Sequence, residues 1–157
     1  MDDAAILQNL SEAGLVLPPS PQALASYVPV VISGTTAFVS GQIPMRDGEL
    51  LAAGTLGDSV EVDEAVHAAQ QAALQGLAAL HSALGSFGPL ARIVHITVYV
   101  AATPDFTEHS RVANGASDLL AKVLGEGGQH ARAAVGVISL PLGSCVEVAM
   151  TAEVSAP

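Results

Sequence analysis

The segment ARIVHITVYVAA, residues 91–102, constrains the fold more than any other part of the sequence. Its β-branched residues predict a strand, and alternate positions of a strand face opposite ways. One face would carry Val94, Ile96, Val98 and Val100, and the other Ile93, His95, Thr97 and Tyr99. Because both faces are largely apolar, both need a cover that removes them from water.

Two long helices are predicted, and they can cover one of these faces. The first begins between about Asp58 and Asp63 and runs to about Ala83, with Asp58 as its expected cap and Glu61 three residues further on. Its apolar residues recur at helical spacing, opposite a polar stripe that contains His67, Gln71 and Gln75. The second occupies residues 107–124 and ends at Gly125. The other strand face is therefore expected to pack against another subunit.

The remaining segments are shorter and β-rich. Residues 28–44 predict a hairpin that turns at Gly34, and residues 131–140 and 144–155 predict a second hairpin around Pro141–Gly143. A short amphipathic helix is expected at 3–14. The whole order predicts one α+β domain over residues 1–157, in which a mixed sheet carries the two long helices on one face.

Composition limits the classes of partner. Half of the residues are hydrophobic and only 3% are aromatic, so the core must consist mainly of Ala, Val, Leu and Ile. The formal net charge is -10, and the five basic residues are scattered singly. Nucleic-acid binding depends on clustered Lys and Arg, so we expect no nucleic-acid partner.

The sequence also gives expectations about location and cofactors. The N-terminus is acidic, prolines interrupt the uncharged run 13–45, and Cys145 is the only cysteine. These features predict a cytoplasmic protein without a signal peptide, a membrane helix or an intrachain disulfide. The five histidines follow no metal-ligand spacing, and no nucleotide-binding fingerprint occurs, so we expect neither a metal nor a cofactor.

The residues that stand out chemically lie at the start of a late strand. His130 and Arg132 are two positions apart, so they would project the same way from a strand. Arg132 precedes the uncharged run 133–146, and a guanidinium in apolar surroundings needs an anionic partner. That partner is either an internal acid, with Glu147 the obvious candidate, or the carboxylate of a ligand held through two parallel hydrogen bonds.

Several motifs together resemble those of the YjgF/Rid (reactive intermediate deaminase) family, in its longer endoribonuclease L-PSP-like branch. They are SGQIP at 40–44, NGASDL at 114–119, HARAAVGV at 130–137, and LPLG at 140–143 followed by VEV at 146–148. They occur in the family's order, and the resemblance extends over about residues 10–154.

The resemblance implies a chorismate-mutase-like α+β fold and a homotrimer with ligand clefts between subunits. It further implies a deaminase that hydrolyses small enamine or imine carboxylates, such as 2-aminoacrylate, to 2-keto acids and ammonia. By motif, Arg132 would hold the substrate carboxylate and Glu147 would place the attacking water. Four further residues would line the cleft: Ser40, Gly41, Asn114 and, by a looser match, Tyr27. His130, beside the arginine, is a further candidate for substrate binding or proton transfer.

Two departures from the family pattern bear on function. Ala134 stands where active members often carry a cysteine, and His130 stands where the archetypal branch has no histidine. Besides the deaminase, a noncatalytic protein that binds a small carboxylate metabolite therefore remains open. An endoribonuclease is the less favoured third alternative, because the charge of the chain opposes it.

Overall fold

The computed structural model describes residues 1–20 and 26–155. Within them, three α-helices span α1 (Asp3–Glu12), α2 (Val62–Leu84) and α3 (His109–Leu124). The strands are β1 (Val30–Ser33), β2 (Thr36–Gln42), β3 (Met45–Arg46), β4 (Glu49–Leu50), β5 (Leu90–Ala101), β6 (Ala131–Val137) and β7 (Val146–Val154). None of these helices is long and apolar enough to cross a membrane.

Five of the strands form one mixed sheet in the order β1-β2-β7-β5-β6. The predicted hairpin at 28–44 is confirmed, because β1 and β2 pair antiparallel. The predicted hairpin between β6 and β7 is wrong, since β5 lies between them and pairs parallel with β6 and antiparallel with β7. A parallel pair needs a crossover, and α3 provides it between β5 and β6. Strand β6 thus becomes an edge of the sheet.

The two long helices pack on one face of this sheet, as predicted. Ile96, Val98 and Val100 of β5 are fully buried beneath them. At the start of β5 the predicted facing is wrong, because the pairing with β7 shifts register between Ile93 and His95. This bulge buries Ile93 and leaves Val94 44% exposed on the other side.

Helix α2 departs from the prediction at its beginning and along its polar stripe. It starts at Val62, within the predicted range, but Asp58 is not its cap, because Thr55 accepts the backbone N–H groups of residues 58–60 in a turn. Gln71 and Gln75 are buried, and both donate to the carbonyl oxygen of Met45. The small β3–β4 hairpin therefore covers this stripe and uses its amides as anchors.

Among residues 1–20 and 26–155, no helix packs on the sheet face opposite α2 and α3. Val31 and Phe38 pair with each other across β1 and β2 and are 52% and 50% exposed. Val94 lies on the same side of the sheet. Exposed apolar side chains on a sheet face are typical of a surface that associates with another molecule.

Gly115 of α3 is where the two long helices approach most closely. A Cβ added there would lie 2.0 Å from the backbone oxygen of Val66 in α2. Glycine disfavours a helix interior, so its presence here is explained by this contact between helix backbones.

We predict that Gly115→Ala lowers the free energy of unfolding by about 1–3 kcal/mol, because the Val66 backbone cannot yield as a side chain would. Helix propensity alone predicts the opposite sign, by about 1 kcal/mol. Urea unfolding measures the change. Gly88→Ala is the control, since its added Cβ would meet only the Ser86 hydroxyl, at 3.2 Å. A more stable Gly115→Ala variant would contradict this account of the helix contact.

Candidate functional site

Arg132 lies on the edge strand β6 and faces the helices. It is in register with Ile96 of β5, whose side chain is buried under the helices. Its Nη1 donates to Asn114 Oδ1 at 2.9 Å and to Ser117 Oγ at 3.0 Å, and its Nη2 donates to the backbone oxygen of Ser110 at 3.4 Å. All three acceptors belong to α3 and all are uncharged. Helix α3 therefore orients the guanidinium without neutralising it.

The charge of Arg132 is left without an internal counter-ion. Its side chain is exposed, and no carboxylate within residues 1–20 and 26–155 lies within salt-bridge distance of it. In contrast, Arg111, which lies on helix α3, forms ion pairs with both Asp63 and Glu108. Arg132 is thus open to an incoming anion.

His130 and Arg132 meet at one hydroxyl group. His130 precedes β6, its Nε2 lies 3.0 Å from Ser117 Oγ, and its Nδ1 contacts the backbone oxygen of Gly128. Ser117 is the same hydroxyl that accepts from Arg132. Both ring nitrogens of His130 therefore have protein partners.

Glu147 lies on the opposite face of the sheet from Arg132. Arg132 neighbours Ile96 and Glu147 neighbours Tyr99 on β5, and the pairing between these positions is regular. Positions three apart on a strand face opposite ways. The alternative of an Arg132–Glu147 ion pair within one chain is therefore wrong.

Glu147 lies in a surface pocket of about 580 Å³. The pocket is lined by Tyr27, Ser40, Gly41, Ile43, Pro141, Leu142 and Glu147. Burial raises the pKa of the Glu147 carboxyl above its ordinary value, because the charged form loses hydration. Desolvation is the cause of the raised pKa, so the Glu147 carboxylate takes up a proton more readily than a carboxylate in water does.

Gly41 makes room for this carboxylate. A Cβ at that position would lie 1.7 Å from Glu147 Oε1 and 2.7 Å from its Cδ. The pairing of β2 with β7 is irregular between Val39 and Gln42, which includes this point. Ser40 beside it donates its hydroxyl to the backbone oxygen of Val28 and so ties β2 to the segment that carries Tyr27.

The candidate residues thus fall into two groups on different surfaces of one chain. Asn114, His130 and Arg132 form the first, which we call the arginine cluster and which also contains Ser117. The second, the glutamate pocket, contains Tyr27, Ser40, Gly41 and Glu147.

Sequence reasoning missed Ser117 as a site residue, although it lies three positions after Asn114 and so shares its helix face. It also missed Ile43, Pro141 and Leu142 as lining residues.

Neither the single cysteine nor a metal site adds to these two groups. Burial raises the pKa of the Cys145 thiol to about 11, so this cysteine is an unreactive core residue. Among the residues that the structure describes, no three His, Cys, Asp or Glu side chains lie close enough together to hold a metal ion.

Comparison with known proteins shows to which family the chain belongs. Residues 8–154 match the family described as "YjgF/chorismate mutase-like, putative endoribonuclease". The chain belongs to this family. The YjgF/Rid resemblance and the chorismate-mutase-like fold are thereby confirmed.

Three proteins to which the chain is similar illustrate the range of similarity. Protein TCP17 of Trypanosoma cruzi is 44% identical over 144 residues, which are 91% of this chain and 90% of that protein. A protein of unknown function from Agrobacterium tumefaciens has a crystal structure with a TM-score of 0.91 and 41% identity, over 98% of this chain and 94% of that one. RidA from Psychrobacter sp. PAMC 21119 is more distant, with a TM-score of 0.60 and 25% identity, over 86% and 94% of the two chains.

We predict that Gly41→Ala displaces the Glu147 carboxylate with little loss of stability. The added methyl group and the carboxyl cannot occupy the same space, and the flexible glutamate side chain is what moves. Once the carboxylate swings into water, its pKa should fall back towards the ordinary value for glutamate. Carbon-13 NMR titration of the Glu147 carboxyl measures this.

The variant Gly88→Ala, remote from the glutamate pocket, should leave that titration unchanged. An unaltered Glu147 titration in Gly41→Ala would show that the carboxylate does not depend on the missing side chain at position 41.

Proposed function

We propose that the protein hydrolyses small enamine or imine carboxylates to 2-keto acids and ammonia, in a cleft formed between subunits of a homotrimer. The observation that carries this proposal is the exposed guanidinium of Arg132, which is fixed by three neutral acceptors and has no carboxylate partner in the described part of the chain. A planar guanidinium binds a carboxylate through two parallel, charge-assisted hydrogen bonds. Arg132 is thus suited to hold the acid end of such a substrate.

The second element of the proposal is Glu147. An imine carbon becomes strongly electrophilic once its nitrogen is protonated, so hydrolysis needs an oriented water and a group that moves protons. Glu147 would accept a proton as water adds to the carbon. It would then return the proton to the nitrogen of the adduct. As the carbon–nitrogen bond breaks and ammonia leaves, the carbon–oxygen double bond forms and Glu147 takes up the hydroxyl proton. Its raised pKa favours this role, because a general base works best when its pKa approaches the working pH.

The two elements can act on one substrate only across a subunit boundary. Within a chain, the sheet separates the arginine cluster from the glutamate pocket. The uncovered apolar face and the edge strand β6 supply surfaces through which copies of the chain could associate. A cyclic trimer would bring the arginine cluster of each subunit to the glutamate pocket of the next.

A noncatalytic carboxylate-binding protein is the second candidate, and Ala134 is the observation that favours it. Ala134 follows Arg132 by two positions on the same face of β6. By the family resemblance, active members often carry a cysteine at this position, and here a methyl group replaces the thiol. Such a protein would be stabilised by keto acids in thermal-shift measurements and would show no turnover. The endoribonuclease alternative is less favoured, because the net charge of -10 opposes phosphate binding.

We predict that Arg132→Ala lowers kcat/KM for freshly generated imino acids by about 100-fold or more, since both hydrogen bonds to the carboxylate are lost. Release of keto acid, coupled to a dehydrogenase, measures the rate. Arg132→Lys should recover only part of the lost rate, because an ammonium group lacks the two parallel N–H donors of a guanidinium. Arg46→Ala is the matched control, as this exposed arginine donates only to Gln71. Wild-type protein that accelerates no imino acid in a panel would defeat the deaminase proposal.

We further predict that two inactive variants restore activity when mixed. Arg132→Ala and Glu147→Gln subunits, unfolded and refolded together in equal amounts, should regain about a quarter of wild-type activity, the fraction of random interfaces that keep both residues. Separately refolded variants, mixed without exchange of subunits, are the control. If the two residues act within one chain, co-refolding would restore nothing, and the shared cleft would be disproved.

A further inference from the structure

The arginine cluster contains a continuous chain of hydrogen bonds that ends on a backbone carbonyl. It runs from the Gly128 oxygen to the two ring nitrogens of His130, then to Ser117 Oγ and on to Arg132 Nη1. Asn114 Oδ1 accepts the other bond from Nη1. His130 is half-buried, and so is Ser117, whereas the guanidinium at the end of the chain is exposed.

The carbonyl of Gly128 sets the direction of every bond in this chain. A carbonyl can only accept, so His130 Nδ1 carries the proton that it binds. In the neutral ring Nε2 is then an acceptor, and the Ser117 hydroxyl donates its single proton to it. The lone pairs of Ser117 consequently remain for Arg132, whose Nη1 donates at 3.0 Å.

The same chain decides which edge of the guanidinium is left for a ligand. A guanidinium has five N–H donors. Nη1 uses its two on Asn114 and Ser117, and Nη2 directs one towards the Ser110 oxygen at 3.4 Å. The Nε–H has no acceptor among the residues that the structure describes, and Nη2, which lies on the same edge of the guanidinium, has one further N–H. These two parallel donors match the two oxygens of a carboxylate.

We propose that His130 is a positioning residue, which acts through Ser117 to present the Nε–Nη2 edge of Arg132 to a ligand carboxylate. The inference rests on the proposed function, since it assumes that Arg132 binds the carboxylate. His130 does not touch the ligand, because both of its nitrogens are occupied. Its role is to keep Ser117 an acceptor towards Arg132, and without it the hydroxyl could turn its proton towards the guanidinium.

The position of Ser117 within α3 supports a specific role over a general one. Serine is a mediocre helix former, because its hydroxyl competes for backbone groups. Here the hydroxyl bridges α3 to His130 and to β6 instead. A network that only tied the helix to the strand would affect stability, whereas a positioning network must affect carboxylate binding as well.

The test is calorimetric binding of 2-oxobutanoate, which is not turned over, to the assembled protein. Ser117→Ala and His130→Ala should each weaken binding roughly five- to ten-fold, the effect of one lost hydrogen bond. Ser117→Thr keeps the hydroxyl and should bind within about two-fold of wild type. Because His130 acts only through Ser117, the double variant should bind no more weakly than Ser117→Ala alone.

Two further readouts separate positioning from a merely structural role. The amide of the same acid, which offers no carboxylate, should bind all variants equally weakly. Nitrogen-15 NMR of His130 should show a protonated Nδ1 and an unprotonated Nε2 in the wild-type protein, and the opposite tautomer would overturn the inference.

The remaining outcomes distinguish this inference from the proposed function. If Arg132→Ala loses 2-oxobutanoate binding while Ser117→Ala and His130→Ala bind like wild type, the positioning role is wrong and the carboxylate site stands. If Arg132→Ala binds like wild type, the proposed function itself fails. If the losses of affinity caused by Ser117→Ala and His130→Ala multiply in the double variant, His130 does not act through Ser117, which would also contradict the inference. If Ser117→Ala does not fold, Ser117→Thr and His130→Ala still decide between these outcomes.

Discussion

The candidate site depends on one constraint: Arg132 is held in place by groups that carry no charge. A guanidinium bound to an internal carboxylate would have little electrostatic attraction left for a ligand, and one with no anchors would lose much side-chain entropy on binding. Asn114, Ser117 and the Ser110 backbone supply anchors without a negative charge. The result is an oriented cation at the edge of a sheet, in a chain whose formal net charge is -10.

The sheet turns this local feature into a requirement for assembly. Strand β6 lies at the edge with its exposed arginine on the helix side of the sheet, while Glu147 projects from the opposite face into a pocket beside Gly41. No rotation of side chains brings the two together through a sheet whose core positions are fully buried. A reaction that uses both needs two copies of the chain, and the uncovered apolar face is a physical reason for such copies to associate.

Much of the fold could be predicted from periodicity because periodicity is local. The clean alternation in β7, the 12-residue strand β5 and the two long helical patterns all correspond to observed elements. Pairing between strands is not local, so adjacent segments in sequence were wrongly predicted to form a hairpin across Pro141–Gly143. The cap of α2 was wrongly predicted because an acidic residue in a turn, Asp58, resembles a helix cap in sequence.

The site was predictable to the extent that a motif marks each residue, but its geometry was not. A carboxylate at the end of the uncharged run that follows Arg132 suggested an ion pair, and only the register on β5 reveals that Arg132 and Glu147 face opposite ways. Ser117 carries no sequence signal of its own beyond its helical spacing from Asn114. Its importance arises from two partners, His130 and Arg132, that the fold brings to it from another element.

A crystal structure of the assembled protein with a bound 2-keto acid tests the central claim most directly. The account predicts the ligand carboxylate on the Nε–Nη2 edge of Arg132, with the glutamate pocket of an adjacent subunit facing the keto carbon. A keto acid bound elsewhere, or an Arg132 that in the assembly is sealed against a carboxylate of a neighbouring chain, would contradict it.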